Sequence, residues 1–276
     1  MNKRNRERAN TCGSPSAKRS NDENDPANGN AHLEQTDQGL ALVDEGLVIR
    51  GDFSRLIPRC KQNRLQQELI VRAIKPATIL ARYEAGDVPL AIDATAGLGD
   101  DAFLLAACGF KVLMFERDET IASLLADALS RALADERTHA IADRMRLSQS
   151  DSITAMQAFA NKLAQQTPGQ LQANRQGISH SSLVIPRRPD IVILDPMFPA
   201  RTKSAAVKKK FQLIHQLEKP CQNEEELLQA ALRIKPGKVI VKRPAKGPHL
   251  ANIKPSYSIG GKAIRYDVLV PAQMRL

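Results

Sequence analysis

An α/β fold is what this sequence predicts: a mostly parallel, seven-stranded sheet covered by helices and finished by an antiparallel hairpin. Three observations carry that expectation. From residue 88 onward, short apolar runs alternate with helical patterns, as in a parallel sheet covered on both faces. The first run enters a turn with glycines at 97 and 99, where the chain can bend tightly and approach a ligand. The last stretch differs: 256–259, then Gly260-Gly261, then 263–270 reads as a hairpin of antiparallel strands.

Taken in order, residues 1–37 are rich in Asn, Arg, Ser, Asp and Pro and poor in large apolar groups. Such a segment buries too little surface to offset its ordering entropy, so a disordered tail is expected there. Gly39-Leu-Ala-Leu-Val turns through Asp44-Glu45-Gly46 into Leu47-Val-Ile-Arg, which predicts a small hairpin. Leu65, Leu69, Ile70, Ala73, Ile74 and Leu80 recur at helical spacing over 62–82, with Pro76 breaking the run. Hairpin and helix together make a small N-terminal subdomain over 38–84, ahead of a main domain over 85–276. Strands are predicted at 89–93, 111–115, 145–148, 190–194 and 238–241. Helices are predicted near 101–108, 119–135, 152–165, 204–217 and 223–233. The polar stretch 166–189 reads as a surface loop. A parallel sheet ended by an antiparallel hairpin is the Rossmann-like layout of class I methyltransferases.

Composition narrows the partners. Forty basic residues against 30 acidic ones give a net charge of +10, which favours a polyanionic partner. Cys12, Cys60, Cys108 and Cys221 are scattered and the five histidines show no ligand spacing, so neither a metal site nor a disulfide framework is expected. No apolar run approaches the roughly 20 residues that cross a bilayer, and the N-terminus is too polar for a signal peptide. A reducing cytoplasm fits best.

Asp93-Ala-Thr-Ala-Gly97-Leu-Gly99-Asp100-Asp101 joins the first main strand to a helix. The next strand ends in Glu116, where an acid can accept hydrogen bonds from ribose hydroxyls. The third is followed by Ser150-Asp151-Ser152, which can meet an adenine edge. Polar groups at the carboxyl ends of consecutive strands make a crevice site. A nicotinamide cofactor also uses a glycine turn and a following acid. An acidic rim of Asp93, Asp101, Glu116 and Asp195 suits a cationic sulfonium better than a pyrophosphate, which favours S-adenosylmethionine.

The fourth main strand delivers Leu194-Asp195-Pro196-Met-Phe198-Pro. Asp195 and the Pro196 carbonyl can accept the two N–H groups of an exocyclic amine, while Phe198 stacks on its base. That directs the nitrogen lone pair at a methyl donor, so positioning and electrostatics supply the rate. Downstream, Arg201, Lys203, Lys208 and Lys209, with Lys242 and Arg243 on a later strand, are candidate contacts to RNA phosphates. With 4% aromatic residues, a stacking platform for single strands is not expected, and structured RNA presenting one base fits better. A same-fold enzyme acting on an amine in DNA or protein, or a non-catalytic RNA-binding protein, remains open on these residues.

The chain resembles the RsmJ family of bacterial small-subunit ribosomal RNA guanine-N2 methyltransferases. The resemblance rests on Gly39-Leu-Ala-Leu-Val, Asp93-Ala-Thr-Ala-Gly-Leu-Gly99, Phe115-Glu-Arg117, Asp151-Ser-Ile-Thr-Ala155, Leu194-Asp-Pro-Met-Phe-Pro199, Lys203-Ser-Ala, Val207-Lys-Lys209 and Val241-Lys-Arg-Pro244, in order over about residues 39–270. It implies methylation of a guanine exocyclic amine in small-subunit ribosomal RNA or the assembling subunit, with S-adenosylmethionine. It also implies cofactor contacts at Asp100, Asp101, Glu116, Arg117, Asp151, Ser152 and Asp195. Two departures stand out: the family typically carries arginine where this chain has Asp100, and its glycine-rich segment is replaced here by Lys61-Gln-Asn-Arg64-Leu-Gln-Gln67.

Overall fold

The computed structural model describes residues 31–84, 87–165, 187–196 and 223–273. The first described residues form a three-stranded antiparallel sheet, β1 (His32–Thr36), β2 (Gly39–Asp44) and β3 (Leu47–Ile49). Glu45 and Gly46 both take positive φ, 44° and 80°, as a two-residue turn between twisted strands requires. β1 corrects the expectation that disorder extends to residue 37. Its side chains are mostly exposed, as the composition implies, but its backbone pairs with β2 from His32↔Val43 to Thr36↔Gly39. An edge strand draws on ladder hydrogen bonds, which a count of apolar residues does not register.

The helical run expected over 62–82 breaks at Pro76 as its sequence implies, and it breaks at further points into a series of short turns. A 3₁₀ turn (Ser54–Leu56) is followed by α1 (Ile57–Cys60), α2 (Gln62–Leu65), α3 (Leu69–Ile74) and α4 (Pro76–Leu80). Lys61 and Glu68 sit in extended conformation between them, and Lys75 is left-handed with φ 54°. Pro76 has no N–H to continue α3, yet its fixed φ suits the first turn of α4. Thus the proline both ends one helix and starts the next.

The main sheet runs β4 (Leu90–Asp93), β5 (Lys111–Glu116), β6 (Met145–Gln149), β7 (Ile191–Leu194), β8 (Lys238–Pro244), β9 (Tyr257–Gly260) and β10 (Ile264–Leu269). Their order in space is β6-β5-β4-β7-β8-β10-β9. The first five are parallel, and β10 lies antiparallel between β8 and β9. Helices α5 (Asp100–Ala107), α6 (Glu119–Ala134), α7 (Glu136–Ala142), α8 (Ser152–Ala164) and α9 (Glu224–Arg233) fill the crossovers. The sequence reading missed α7. Asp135 breaks the long helix by taking extended geometry, and its carboxylate caps α7 by accepting the Arg137 N–H. The predicted helix at 204–217 and most of the 166–189 loop lie outside the described residues.

Strand residues alternate between two cores. Ala91, Val112, Met114, Ile191, Ile193 and Ile240 pack with α3, α5 and α6. Leu90, Ile92, Leu113, Phe115, Val192, Leu194, Val239 and Val241 pack with α8 and α9. The first core also holds Phe53, Leu56, Ile70, Val71, Ala73, Ile74 and Ile79. The N-terminal helices therefore share a core with α5.

Candidate active site

β4 lies between β5 and β7, and α5, after β4, packs on one face of the sheet while α9, before β8, packs on the other. Such a switch point opens a crevice at the carboxyl ends of the strands. The loop after β4 shapes it. Gly97 and Gly99 have φ of 52° and 80°, a region closed to most side chains. A Cβ on Gly99 would also lie 2.8 Å from Leu125 Cδ1 and 3.0 Å from Phe53 Cζ. The Gly97 N–H donates to Glu116 Oε2 at 2.9 Å, and the Asp118 N–H donates to Oε1 at 2.8 Å. Glu116 therefore ties the glycine loop to the end of β5. Each of its oxygens keeps a second lone pair for a ribose hydroxyl. Burial pushes its carboxyl upward in pKa, against the pull of those N–H donors.

Strand alternation decides what faces the crevice. Asp93 ends β4 on the face of Ala91, beside α5, and is 2% exposed. Asp101, in the first turn of α5, accepts hydrogen bonds from Lys242 Nζ at 3.2 Å and from the Tyr266 hydroxyl at 3.1 Å. Asp195 follows β7. Its N–H donates to Thr95 Oγ1 at 2.6 Å, and its Oδ2 lies 2.9 Å from Lys242 Nζ. Three carboxylates thus converge with one ammonium. Burial, with Asp101 and Asp195 adding repulsion, pushes the Asp93 carboxyl up to about 7. Burial alone would lower the Lys242 ammonium, but Asp101 and Asp195 outweigh it and hold lysine above its ordinary range.

Other expected residues lie around this center. Asp151 caps α8, accepting the Thr154 N–H at 2.9 Å, and Ser152 is the first residue of that helix. Arg117 is exposed directly after β5. Asp100 begins α5 and receives both its hydrogen bonds, at 2.6 Å, from Arg55 Nη2. Pro196 is buried next to Asp195. Phe198, Arg201, Lys203, Lys208 and Lys209 lie outside the described residues.

Two expected RNA contacts are corrected. Arg243 lies on the face of Val241, 1% exposed, donating to Glu224 Oε1 at 3.0 Å and to the Pro248 carbonyl at 2.8 Å. It braces β8 against α9. Lys242 lies on the opposite face, inside the crevice and committed to two carboxylates. Successive strand side chains point to opposite sides, so a Lys-Arg pair in a strand cannot serve as one patch. Sequence reasoning missed Thr95, Tyr266 and Arg55. The alternation with Ile240 and Val241 was the signal for Lys242 and Arg243.

Among the described residues no group of three or more His, Cys, Asp and Glu is arranged to hold a metal, and no helix is long and apolar enough to cross a membrane. The donor set fits a sulfonium cofactor instead. A left-handed glycine loop gives close backbone approach, and three carboxylates against one lysine leave an excess of negative charge for a cation.

Comparisons with known proteins agree with this chemistry. The family described as putative SAM-dependent methyltransferases matches residues 22–271. A ribosomal RNA small subunit methyltransferase J of Neisseria meningitidis is 36% identical over 232 residues, 84% of this chain and 80% of its own length. Its namesake in Stutzerimonas stutzeri is 40% identical over 185 residues, 67% of this chain and 62% of its own. A crystallised SAM-dependent methyltransferase of Neisseria gonorrhoeae superposes with a TM-score of 0.64 at 29% identity, covering 91% of this chain and 87% of that one. Its cofactor is therefore S-adenosylmethionine, and the chain belongs to the SAM-dependent methyltransferase family that includes the ribosomal RNA small subunit methyltransferase J proteins.

Proposed function

We propose that this protein transfers a methyl group from S-adenosylmethionine to the exocyclic N2 amine of a guanine in small-subunit ribosomal RNA, in the bacterial cytoplasm. The observation that carries the proposal is Asp195, fixed at its backbone by Thr95 and at its carboxylate by Lys242, beside the Asp93–Gly99 loop. The relatives' printed activity and the net charge of +10 support an RNA substrate.

The cofactor supplies an electrophilic methyl on a positively charged sulfur. In this reading the Gly97–Gly99 loop, Asp93 and Asp101 take its charged end. Glu116 and Arg117 serve the ribose, and Asp151 with Ser152 the adenine. Asp195 and the Pro196 carbonyl accept the N–H groups of the guanine amine, and Phe198 stacks on the ring. The amine nitrogen then presents its lone pair in line with the methyl–sulfur bond. On transfer the methyl–sulfur bond would break as the C–N bond forms, the sulfur leaving as a neutral thioether, and the amine proton, made acidic, would pass along its hydrogen bond to Asp195, so a strong base is unnecessary.

RNA contacts are assigned to Arg201, Lys203, Lys208 and Lys209, and to the exposed cations Lys61, Arg64, Lys246 and Lys262. Leu69 of α3 packs close to Gly261, which brings the start of that helix near the β9–β10 turn, where Lys262 is exposed. Lys246 follows β8, whose end pairs with the start of β10. Transfer of labelled methyl to small-subunit ribosomal RNA from cells lacking this protein tests the proposal. Label recovered as N2-methylguanine supports it, and label found only in DNA or protein refutes it.

A further inference from the structure

Among the described residues, Lys242 is the one cation placed between two crevice carboxylates. It reaches Asp195 Oδ2 at 2.9 Å and Asp101 Oδ2 at 3.2 Å, with its side chain 27% exposed. It also sits at a junction of four elements: β8 carries it, α5 carries Asp101, the end of β7 carries Asp195, and β10 carries Tyr266, which pairs with it in register. On the adjacent β4, Asp93 faces the same group.

We propose that Lys242 is a positioning residue for methyl transfer: its ammonium holds the Asp195 carboxylate ionised and oriented toward the substrate amine, and divides its charge between Asp195 and Asp101. The inference rests on the reading that Asp195, with the Pro196 carbonyl, accepts the amine N–H groups. Lys242 acts through Asp195 and takes no proton itself, since a lysine held between two carboxylates stays cationic. Asp195 must be ionised to accept its N–H beside the Pro196 carbonyl and then take up the proton that transfer releases, because a protonated carboxyl has no room for that proton and would present one oxygen as a donor.

Among the described residues, the ionisable groups around Asp195 are Asp93, Asp101, Lys242 and Tyr266, with Arg59 beyond Asp101. Their charges act on one another at close range, so the acid limb of activity belongs to the cluster. An opposite charge at this distance lowers a carboxyl pKa by about one to three units. Removing Lys242 therefore moves the acid limb of the pH profile to higher pH.

The test is single-turnover methyl transfer to small ribosomal subunits from cells lacking this protein, at saturating S-adenosylmethionine, from pH 5.5 to 9.5. For Lys242→Met the acid-limb midpoint should rise by about one unit or more, with the rate at pH 6 down about tenfold beyond any loss at pH 9. Lys242→Arg should return the midpoint toward wild type. Asp101→Asn should move it the opposite way, because a repelling charge leaves and Lys242 serves Asp195 alone. A Lys242→Met profile parallel to wild type with an unchanged midpoint overturns the proposal. If that variant does not fold, Asp101→Asn decides, and an unmoved or raised midpoint is the contrary result. A wild-type protein that methylates no ribosomal RNA would instead sink the reading of the reaction.

Discussion

Asp195 is where a single atom matters most, because its two neighbours do different work. Thr95 fixes where the backbone leaves β7, and Lys242 fixes where the carboxylate points. Asp195→Asn keeps the shape but replaces one acceptor oxygen by a donor. We expect the methyl-transfer rate to fall by about 10²- to 10³-fold, with the KM for S-adenosylmethionine changed less, as measured by steady-state kinetics. Asp93 offers a pH test. Its folded pKa of about 7 exceeds the carboxylate reference of 3.8, so between about 4 and 7 the native state binds more protons than the unfolded chain. Its stabilising contribution is present below that window and is lost as pH rises through it. Asp93→Asn should therefore flatten this part of the melting-temperature profile of the free protein. A bound cation favours the ionised form, so cofactor binding near pH 7 should release protons, measurable by calorimetry in buffers of different ionisation enthalpy. At this scale the sequence was a mixed guide. Asp93 and Asp195 were legible because each sits at or just after a strand end, and Asp101 because it opens the helix that follows the glycine loop. Lys242 and Arg243 were read as a pair, although strand alternation sends them to opposite faces.

At the scale of elements, the glycine loop and the β2–β3 hairpin were legible because positive φ leaves few residue choices. The Gly99 backbone at φ 80° faces Leu125 and Phe53, so Gly99→Ala combines left-handed strain with a steric clash. It should destabilise the protein by about 2 kcal/mol or more in urea unfolding and weaken cofactor binding. Gly46 has a similar φ with nothing near its would-be Cβ, so Gly46→Ala should cost only the backbone strain, about 1 kcal/mol. β1 and the broken helix were not legible, for related reasons. The ladder of β1 is made by backbone groups that composition cannot reveal. The apolar spacing over 65–80 is genuine, but helical periodicity does not register the extended geometry at Glu68 or the left-handed turn at Lys75.

For the whole molecule, the shared core is the main consequence. Phe53 stacks on Phe103 of α5 with centroids 4.8 Å apart, and Tyr257 donates a hydrogen bond to the Ala73 carbonyl. The N-terminal helices thus brace α5 and the glycine loop from one side and the hairpin from the other. Phe53→Ala should cost about 3–5 kcal/mol and lower stability in a single transition seen by every probe. Two separate transitions would mean that the N-terminal segment folds on its own. The sheet order was predictable because parallel crossovers and a terminal hairpin leave few arrangements. The shared core was not, since it joins residues from 53 to 268 that no local pattern relates.

The most direct test is to supply labelled S-adenosylmethionine to small ribosomal subunits from cells lacking the protein, then digest the RNA to nucleosides. The account predicts label in N2-methylguanosine at one site with the wild-type protein and none with Asp195→Ala. Equal labelling by the two proteins, or label in any other nucleoside, would contradict it.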